Sequence, residues 1–478
     1  MADLIRRAAA ASVLPILLLA AGCDAPVEPQ VPPGASGMPR TLSILKSRPT
    51  QDPNVLRVLF YGQSISTPKW TDMAASALQR RFPNTRLVVG NLAIGGFAAQ
   101  LLERTVARDV AAFYPDLIVF HVYGDHRAYE RIIRTMRSTT AAEIIVQNDH
   151  VIQPVEPVCD EGLHLAWTPP PGCHGHVWFR QRSWEQHMSS SVLPRLAREY
   201  GLVLEDRRPL WNAYLRRHGL QPQDLLADGL HPNATGWKLI AKLWVTFMER
   251  QVAAYRGERS TLVTSLPAPT GAAATPIEID GNRVELIANG PLDGQVDASV
   301  DGRPPQDQDG CWQDSRVDGA VDLPDWPLIR QVNVTPQVHR TDRWTVTITP
   351  TTEDPRRFAF DLVSARRGPE GSGNGDSDFT SRSGEVKIAA QDWTIPSAYD
   401  NHAVVLPAGY KASWQRSFVC RDTPAINLRG EQVEVRHVVA TGMTNGRHVI
   451  TLKLTPEARQ RVREIRVYRP PLNEDAAA

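Results

Sequence analysis

The chain has 478 residues, of which 53 are lysine or arginine and 52 are aspartate or glutamate, so the formal net charge is +1. Domains usually hold roughly 100–200 residues, and this length therefore predicts two or three of them. A net charge so close to zero provides no basic field for a nucleic-acid backbone, which excludes nucleic acid as an expected partner. The 42% of hydrophobic residues is typical of a globular protein, whereas the 38 prolines indicate long loops and linkers.

The amino terminus has the pattern of an export signal at 1–22. A short basic start precedes an apolar stretch at 8–21, which is shorter than the roughly 20 apolar residues of a membrane-spanning helix. The sequence LAAGC at 19–23 resembles the lipobox of bacterial lipoproteins, in which the cysteine is lipidated. On this resemblance Cys23 anchors the protein to a membrane of the bacterial cell envelope, on its periplasmic or surface side. The alternative is cleavage near Ala21 with Cys23 unmodified.

The five cysteines are an odd number, which in an exported chain leaves one of them without a disulfide partner. If Cys23 carries lipid, an even set of four remains. Their spacing predicts a local disulfide between Cys159 and Cys173 and a longer one between Cys311 and Cys420. Metal binding by these cysteines is not expected, because no C-x-x-C pair exists and an oxidising compartment favours disulfides. The sequence predicts no metal and no cofactor.

Composition divides the rest of the chain into four segments. Residues 23–53 are rich in proline and small residues and are interpreted as a flexible tether. Residues 54–256 alternate buried-type strands with amphipathic helices, which predicts an α/β domain with a parallel sheet. A linker is predicted at 257–275. Residues 276–472 have the period-two pattern of antiparallel strands, which favours a β-sandwich of about seven to nine strands.

The α/β segment contains five predicted strands and five predicted helices in alternation. The strands are expected at 55–61, 87–89, 117–122, 143–147 and 203–204, and the helices at 71–81, 98–113, 128–137, 192–200 and 235–251.

A serine follows the first predicted strand. The sequence VLFYGQSI at 58–65 ends in a glycine turn, which would expose the Ser64 hydroxyl at the carboxyl end of a parallel strand, where ligands bind in open α/β sheets. Near the end of the same segment, DGLHP at 228–232 places Asp228 three residues before His231. A carboxylate at this spacing can orient the imidazole that takes the serine proton. The alternative is that Asp228 caps the following helix and His231 packs in the core.

Together and in this order, these segments resemble the SGNH/GDSL hydrolase family, whose first block is GDSL-like and whose last is D-x-x-H-P. The resemblance covers 54–251 and implies a three-layer, flavodoxin-like α/β fold. It also implies Ser64 as nucleophile, His231 as general base and Asp228 as its orienting acid. Gln63 replaces the aspartate of the first block, which removes a charge beside the nucleophile and leaves the triad complete.

The resemblance also implies an oxyanion hole, to which the Ser64 N–H contributes. NLAIGG at 91–96 resembles the second block, so the Gly96 N–H is expected to be the second donor. The third block departs from the family's Gly-x-Asn-Asp. Asp125 aligns with the asparagine without a gap, but an ionised carboxylate would repel the developing negative charge. With one inserted residue His126 takes that place, and its imidazole N–H is the third donor that we expect.

The resemblance implies an extracytoplasmic serine esterase. The substrate expected is an acylated carbohydrate, in particular an O-acetyl group on a polysaccharide or cell-envelope glycan, by analogy with envelope proteins of this family. Two alternatives remain open: an O-acyltransferase that passes the acyl group to a sugar hydroxyl, and a catalytically inactive lipoprotein that binds glycan through its β-domain. The sequence does not decide the oligomeric state.

Overall fold

The computed structural model describes residues 37–48, 54–152, 185–271, 273–319 and 326–473. Among the helices in these ranges, none combines the length and hydropathy that crossing a membrane requires. Three predictions lie outside the described residues: the signal at 1–22, lipidation of Cys23, and the disulfide between Cys159 and Cys173.

A five-stranded parallel sheet forms the α/β half, the described residues up to 256. Its order is that of a flavodoxin-like sheet, with the second strand at one edge, followed by the first, third, fourth and fifth. The predicted α/β class is confirmed, and all five strands lie where they were expected. They are β1 (Asn54–Gly62), β2 (Thr85–Asn91), β3 (Leu117–His121), β4 (Glu143–Gln147) and β5 (Val203–Glu205).

Helices cover both faces of this sheet. They are α1 (Pro39–Lys46), α2 (Pro68–Arg81), α3 (Ala99–Leu102), α4 (Val106–Phe113), α5 (His126–Thr139), α6 (Leu193–Tyr200), α7 (Arg208–His218) and α8 (Ala234–Ala254). Successive residues of a strand point to opposite faces, so Val58 and Phe60 of β1 pack with α2 and α8, whereas Leu59 and Tyr61 pack with α4 and α5. The sequence pattern did not predict α1 and α7.

Helix α1 corrects the predicted tether at 23–53, because it packs against the α/β half. The backbone N–H groups of Arg40 and Thr41 donate to the Glu143 carboxylate at 2.7 and 2.8 Å. A carboxylate in this position pairs with N–H groups that have no partner within the helix. Leu42 is buried in the core of the half. Tertiary contacts therefore order a proline-flanked segment whose composition indicates a linker.

Antiparallel sheets form the β-rich half, which consists of the described residues from 257 onwards. The predicted all-β class of this half is confirmed, but the half contains more strands than expected. The strands are β6 (Val263–Pro267), β7 (Thr275–Gly281), β8 (Arg283–Ala288), β9 (Val296–Val300), β10 (Trp312–Asp314), β11 (Asp318–Gly319), β12 (Asn333–Val334), β13 (Asp342–Pro350), β14 (Phe358–Ser364), β15 (Gly368–Asn374), β16 (Phe379–Thr380), β17 (Val386–Ile388), β18 (Tyr410–Phe418), β19 (Asp422–Ile426), β20 (Gln432–Ala440), β21 (Gly446–Leu454) and β22 (Val462–Tyr468). Two short helices, α9 (Ile395–His402) and α10 (Pro456–Arg461), complete this half.

Four sheets arise from these strands. Their orders are β10-β18-β13-β14-β15 with β11 also on β18, β12-β17-β16, β19-β20-β8-β22-β6, and β7-β21-β9. The predicted linker at 257–275 is corrected, since β6 lies within it and pairs with β22, and β7 begins at its last residue. Composition indicated a linker because residues 267–276 are all proline, alanine, threonine or glycine, whereas the pairing depends on a strand that is distant in sequence.

On one face of the parallel sheet, the core of the α/β half continues into the β-rich half. A single cluster of buried side chains contains Phe97 of the α/β half and Trp326 of the β-rich half, whose rings meet edge to face at 5.0 Å. Ion pairs with buried carboxylates also cross the boundary. Arg104 donates two hydrogen bonds to Asp392, Arg316 donates two to Asp109, and Arg436 lies 3.5 Å from Asp116.

The predicted disulfide between Cys311 and Cys420 is confirmed, with its Cα atoms 5.2 Å apart. Cys311 comes directly before β10 and Cys420 follows β18, and these two strands pair with each other. The disulfide therefore joins chain segments that the sheet already holds together, and both cysteines are buried.

Candidate active site

The carboxyl end of β1 places Ser64 at the edge of the parallel sheet. Gly62 ends the strand with a φ of +143°, and a Cβ atom there would lie 1.8 Å from the His121 carbonyl oxygen of β3. Only glycine allows this close approach. A side chain of α2 holds the turn that follows, because the Trp70 indole N–H donates a hydrogen bond to the Ile65 carbonyl at 2.5 Å.

A tight loop before α8 carries Asp228 and His231. The Ala227 N–H donates to the His231 carbonyl at 2.8 Å and closes the loop. Asn233 caps α8, since its side-chain oxygen accepts from the Thr235 and Gly236 N–H groups. Asp228 is therefore not the helix cap, which removes the structural alternative for this residue.

Ser64, His231 and Asp228 form a chain of hydrogen bonds. The His231 Nε2 atom lies 2.9 Å from the Ser64 Oγ atom, and its Nδ1 atom lies 2.9 Å from an Asp228 carboxylate oxygen. With Nδ1 protonated and donating to the carboxylate, Nε2 is the acceptor for the serine proton. All three side chains reach the surface to some extent, so a substrate can approach them.

Hydrogen bonds keep Asp228 ionised. Burial alone would raise the pKa of its carboxyl group, but the backbone N–H groups of His231 and Leu230 and the His231 imidazole lower it to about 2. The two N–H groups donate to the same oxygen at 2.6 and 2.7 Å, and the imidazole contacts the other oxygen. The carboxylate is thus fixed in position and charged at neutral pH.

The loop after β2, residues 91–97, lies beside the serine turn and is called here the Gly96 loop. The Ile94 N–H donates to the Gly62 carbonyl at 2.9 Å, and the Asn91 side chain donates to the Ser66 carbonyl at 2.8 Å. Gly96 has a φ of +81°, a conformation that favours glycine. The contact of Asn91 with the serine turn was not expected from motif spacing.

The loop after β3 gives Asp125 a structural role and places His126 at the start of α5. An Asp125 carboxylate oxygen accepts from the Ala128 N–H at 2.7 Å, so Asp125 is the helix cap. The His126 ring lies 5.3 Å, between centroids, from that of His187. The assignment of His126 as third oxyanion donor remains a prediction.

Buried polar side chains lie beneath the site at the ends of β3 and β4. His121 contacts the Asp149 carboxylate, and both are almost fully buried. The His150 Nε2 atom donates to the Leu230 carbonyl at 2.8 Å, between the two catalytic candidates of that loop. Burial lowers the pKa of His150 to about 4, against the opposing effect of Asp149, so this ring is neutral at neutral pH. The motifs that identify Ser64, Asp228 and His231 give no indication of His121.

Three potential metal ligands meet in the β-rich half. Single ligand atoms of Asp293, Asp422 and His437 all lie within 4.8 Å of one another. Their hydrogen bonds account for this cluster, since Asp422 accepts from the Leu292 N–H at 2.6 Å and contacts the His437 ring at 2.8 Å.

Comparison with known proteins gives matches among solved structures only. No protein-family model and no curated protein matches the chain. An acetylxylan esterase from Geobacillus stearothermophilus is 18% identical over 43% of this chain and 97% of its own length, with a TM-score of 0.32. An alpha/beta hydrolase enzyme from the metagenome of Lake Arreo, Spain, is 18% identical over 41% of this chain and 95% of its own, also with a TM-score of 0.32. The chain is thus similar, over less than half of its length, to an esterase and a hydrolase.

Proposed function

We propose that the chain is a serine esterase of the SGNH/GDSL type that removes O-acetyl groups from a polysaccharide or cell-envelope glycan. The observation that carries the proposal is the hydrogen-bonded series Ser64, His231 and Asp228 at the carboxyl edge of a parallel sheet. The order of these residues along the chain agrees with the motifs from which the sequence predicts them.

The reaction would proceed through an acyl-enzyme. Ser64 Oγ attacks the ester carbonyl as His231 Nε2 takes its proton, and the tetrahedral intermediate collapses when His231 returns that proton to the leaving sugar oxygen. Water then attacks the acetyl group on Ser64, with His231 again as base, and releases acetate. Asp228 holds the imidazole in the required tautomer and stabilises its charged form.

The oxyanion would be bound by backbone N–H groups of Ser64 and Gly96, with His126 as the third donor. Backbone donors on a fixed loop cost little reorganisation in the transition state. The hydrogen bond from the Ile94 N–H to the Gly62 carbonyl supports this assignment, because it joins the Gly96 loop to the end of the strand that carries Ser64.

Ester hydrolysis and covalent labelling together test the enzyme assignment. The chain lacking residues 1–23 should hydrolyse p-nitrophenyl acetate faster than the octanoate, and a fluorophosphonate should label it. Ser64→Ala should abolish both, whereas Ser190→Ala, at an exposed serine, should change neither. Labelling without hydrolysis, together with transfer of acetyl to an added glycan, would favour the acyltransferase. Absence of both activities would overturn the esterase proposal and favour a glycan-binding protein.

We also propose that Cys23 anchors the protein to the cell-envelope membrane. The support is the lipobox-like sequence at 19–23 and the even set of cysteines that remains when Cys23 is set aside. The full chain expressed in a bacterium should sediment with membranes, and Cys23→Ser should release it into the soluble fraction. Equal sedimentation of both proteins would overturn the anchor.

A further inference from the structure

The β-rich half reaches the Gly96 loop and donates hydrogen bonds to its backbone. The Trp326 indole N–H donates to the Gly95 carbonyl at 2.5 Å, and the Arg316 guanidinium donates to the Leu92 carbonyl at 2.9 Å. Both donors come from positions more than 220 residues after the loop. Hydrogen bonds from the other half of the molecule thus hold two carbonyls of one short loop.

The Gly95 carbonyl and the Gly96 N–H belong to the same peptide unit. That unit is planar and trans, so its C=O and N–H bonds point in opposite directions. When Trp326 fixes the carbonyl on one side, it also fixes the direction of the Gly96 N–H on the other. The bond further polarises the peptide, which strengthens the N–H as a donor.

Both donors are themselves held in place. Trp326 is 3% exposed and packs edge to face on Phe97. Arg316 makes two hydrogen bonds to the buried carboxylate of Asp109, at 3.0 and 2.7 Å. A Cβ atom on Gly96 would lie 3.0 Å from the Trp326 ring, so the loop backbone rests against the indole.

We infer that Trp326 and Arg316 are positioning residues of the active site, which orient the Gly96 N–H for the oxyanion and make the β-rich half a part of the catalytic centre. The inference rests on the proposed function, because it assumes that the Gly96 N–H binds an oxyanion. Loss of an oxyanion donor costs about 10²–10³ in rate, and a donor that is displaced rather than removed should cost less, about 10- to 100-fold in kcat.

Trp326→Phe tests the role of the indole, because it keeps an aromatic ring and removes the N–H. The matched control is Trp393→Phe. Trp393 is 2% exposed in the same half, packs on Phe358 and Phe360, and its N–H has no hydrogen-bond partner among the described residues. Both variants should lose stability, but only Trp326→Phe should lower kcat about 10-fold or more while KM for p-nitrophenyl acetate stays unchanged. Equal kcat values in the two variants would overturn the inference.

Arg316→Lys tests the second donor, since lysine cannot contact Asp109 in the same bidentate manner and also reach the loop. Its control is Arg108→Lys, because Arg108 donates to the same Asp109 carboxylate and to the Arg330 carbonyl. A smaller fall in kcat is expected for Arg316→Lys than for Trp326→Phe, and no fall for Arg108→Lys. A fall of equal size in the two arginine variants would assign the effect to Asp109 and overturn the role of Arg316.

Amide hydrogen exchange gives a readout that is independent of activity. The amides of residues 92–97 should exchange at least several-fold faster in Trp326→Phe than in the wild type. In Trp393→Phe their exchange rates should equal those of the wild type. Unchanged exchange would overturn the inference even if kcat fell. A wild-type chain that hydrolyses no ester would overturn the proposed function and the catalytic role of the loop. The exchange data would then decide separately whether Trp326 fixes the loop.

Discussion

The Nε2 atom of His231 lies 2.9 Å from the Oγ atom of Ser64, although 167 positions separate the two residues in the chain. The contact arises because β1 ends and α8 begins at the same edge of the parallel sheet. The turn after β1 carries Ser64, and the loop before α8 carries His231. Backbone hydrogen bonds within each of them, from the Ser66 N–H to the Gln63 carbonyl and from the Ala227 N–H to the His231 carbonyl, hold the two side chains in place.

Replacement of Asp228 by asparagine should lower kcat by about 10³–10⁴-fold with little change in the fold. An asparagine oxygen can still accept the N–H groups of Leu230 and His231, so the loop survives, but the imidazole loses its charge partner and its defined tautomer. Steady-state hydrolysis of p-nitrophenyl acetate measures the effect. Asp224→Asn, which changes an aspartate that accepts from the Gln221 N–H in the same segment, should stay near the wild-type rate. A loss below about 10-fold for Asp228→Asn would contradict its role.

The acid limb of the kcat/KM profile should have a slope of one above about pH 5. The pKa of Asp228 is lowered to about 2, so this carboxylate remains ionised there. The pKa of His150 is lowered to about 4, so that ring remains neutral. Neither group should therefore contribute a protonation step to the acid limb in this range. A slope of two would show that a second group of the site titrates in the same range.

His150 should act on the reaction through Leu230. His150→Phe retains a ring but removes the donor to the Leu230 carbonyl, and we expect kcat to fall about 10-fold because the loop carrying His231 loosens. His150→Gln retains a donor and should recover most of the rate. Similar rates in the two variants would show that the hydrogen bond has no effect on the reaction.

His150 should also make stability depend on pH. Its folded pKa of about 4 lies below the ordinary value of 6.5, so the unfolded chain binds the proton more readily. The stabilisation that this neutral ring provides is present above pH 6.5 and is lost as the pH falls towards 4. Urea unfolding of the wild type should therefore show a steeper loss of stability in this window than His150→Phe, and equal slopes would contradict the assignment.

The two halves should unfold in one transition, and Arg436 should be important for it. Arg436 is buried between Asp116 of the α/β half and the carboxylates of Glu285 and Glu434. Arg436→Met leaves these carboxylates without their central partner, which should cost about 3–5 kcal/mol in urea unfolding. Arg367→Met removes an exposed ion pair and should cost about 1 kcal/mol or less. Separate transitions for activity and for circular dichroism would contradict a shared core.

The sequence predicts most of the α/β half because its signals are local. Each of the five strands is an apolar run that is short enough to be buried, and β4 is predicted to the residue. The three residues of the proposed triad follow from motif order. Their meeting is a consequence of parallel strands, whose carboxyl ends share one edge of the sheet.

Contacts between the halves are not predictable in this way. Trp326 reaches Gly95 across 231 positions, and neither residue type nor spacing indicates the pair. The same holds for α1, whose first turn depends on Glu143, and for β6, which forms because β22 pairs with it. Whether these elements form depends on contacts with residues that are distant in the chain. A local sequence pattern contains only one of the two contacting segments, so it does not predict the contact.

The position of β22 sets an order of events during synthesis. This strand lies between β8 and β6, yet residues 462–468 emerge after every other described strand. Until then β6 lacks its only partner among the described strands, and the surface that meets Asp116 lacks Arg466. We therefore expect a chain that ends before residue 462 to complete neither this sheet nor the boundary between the two halves.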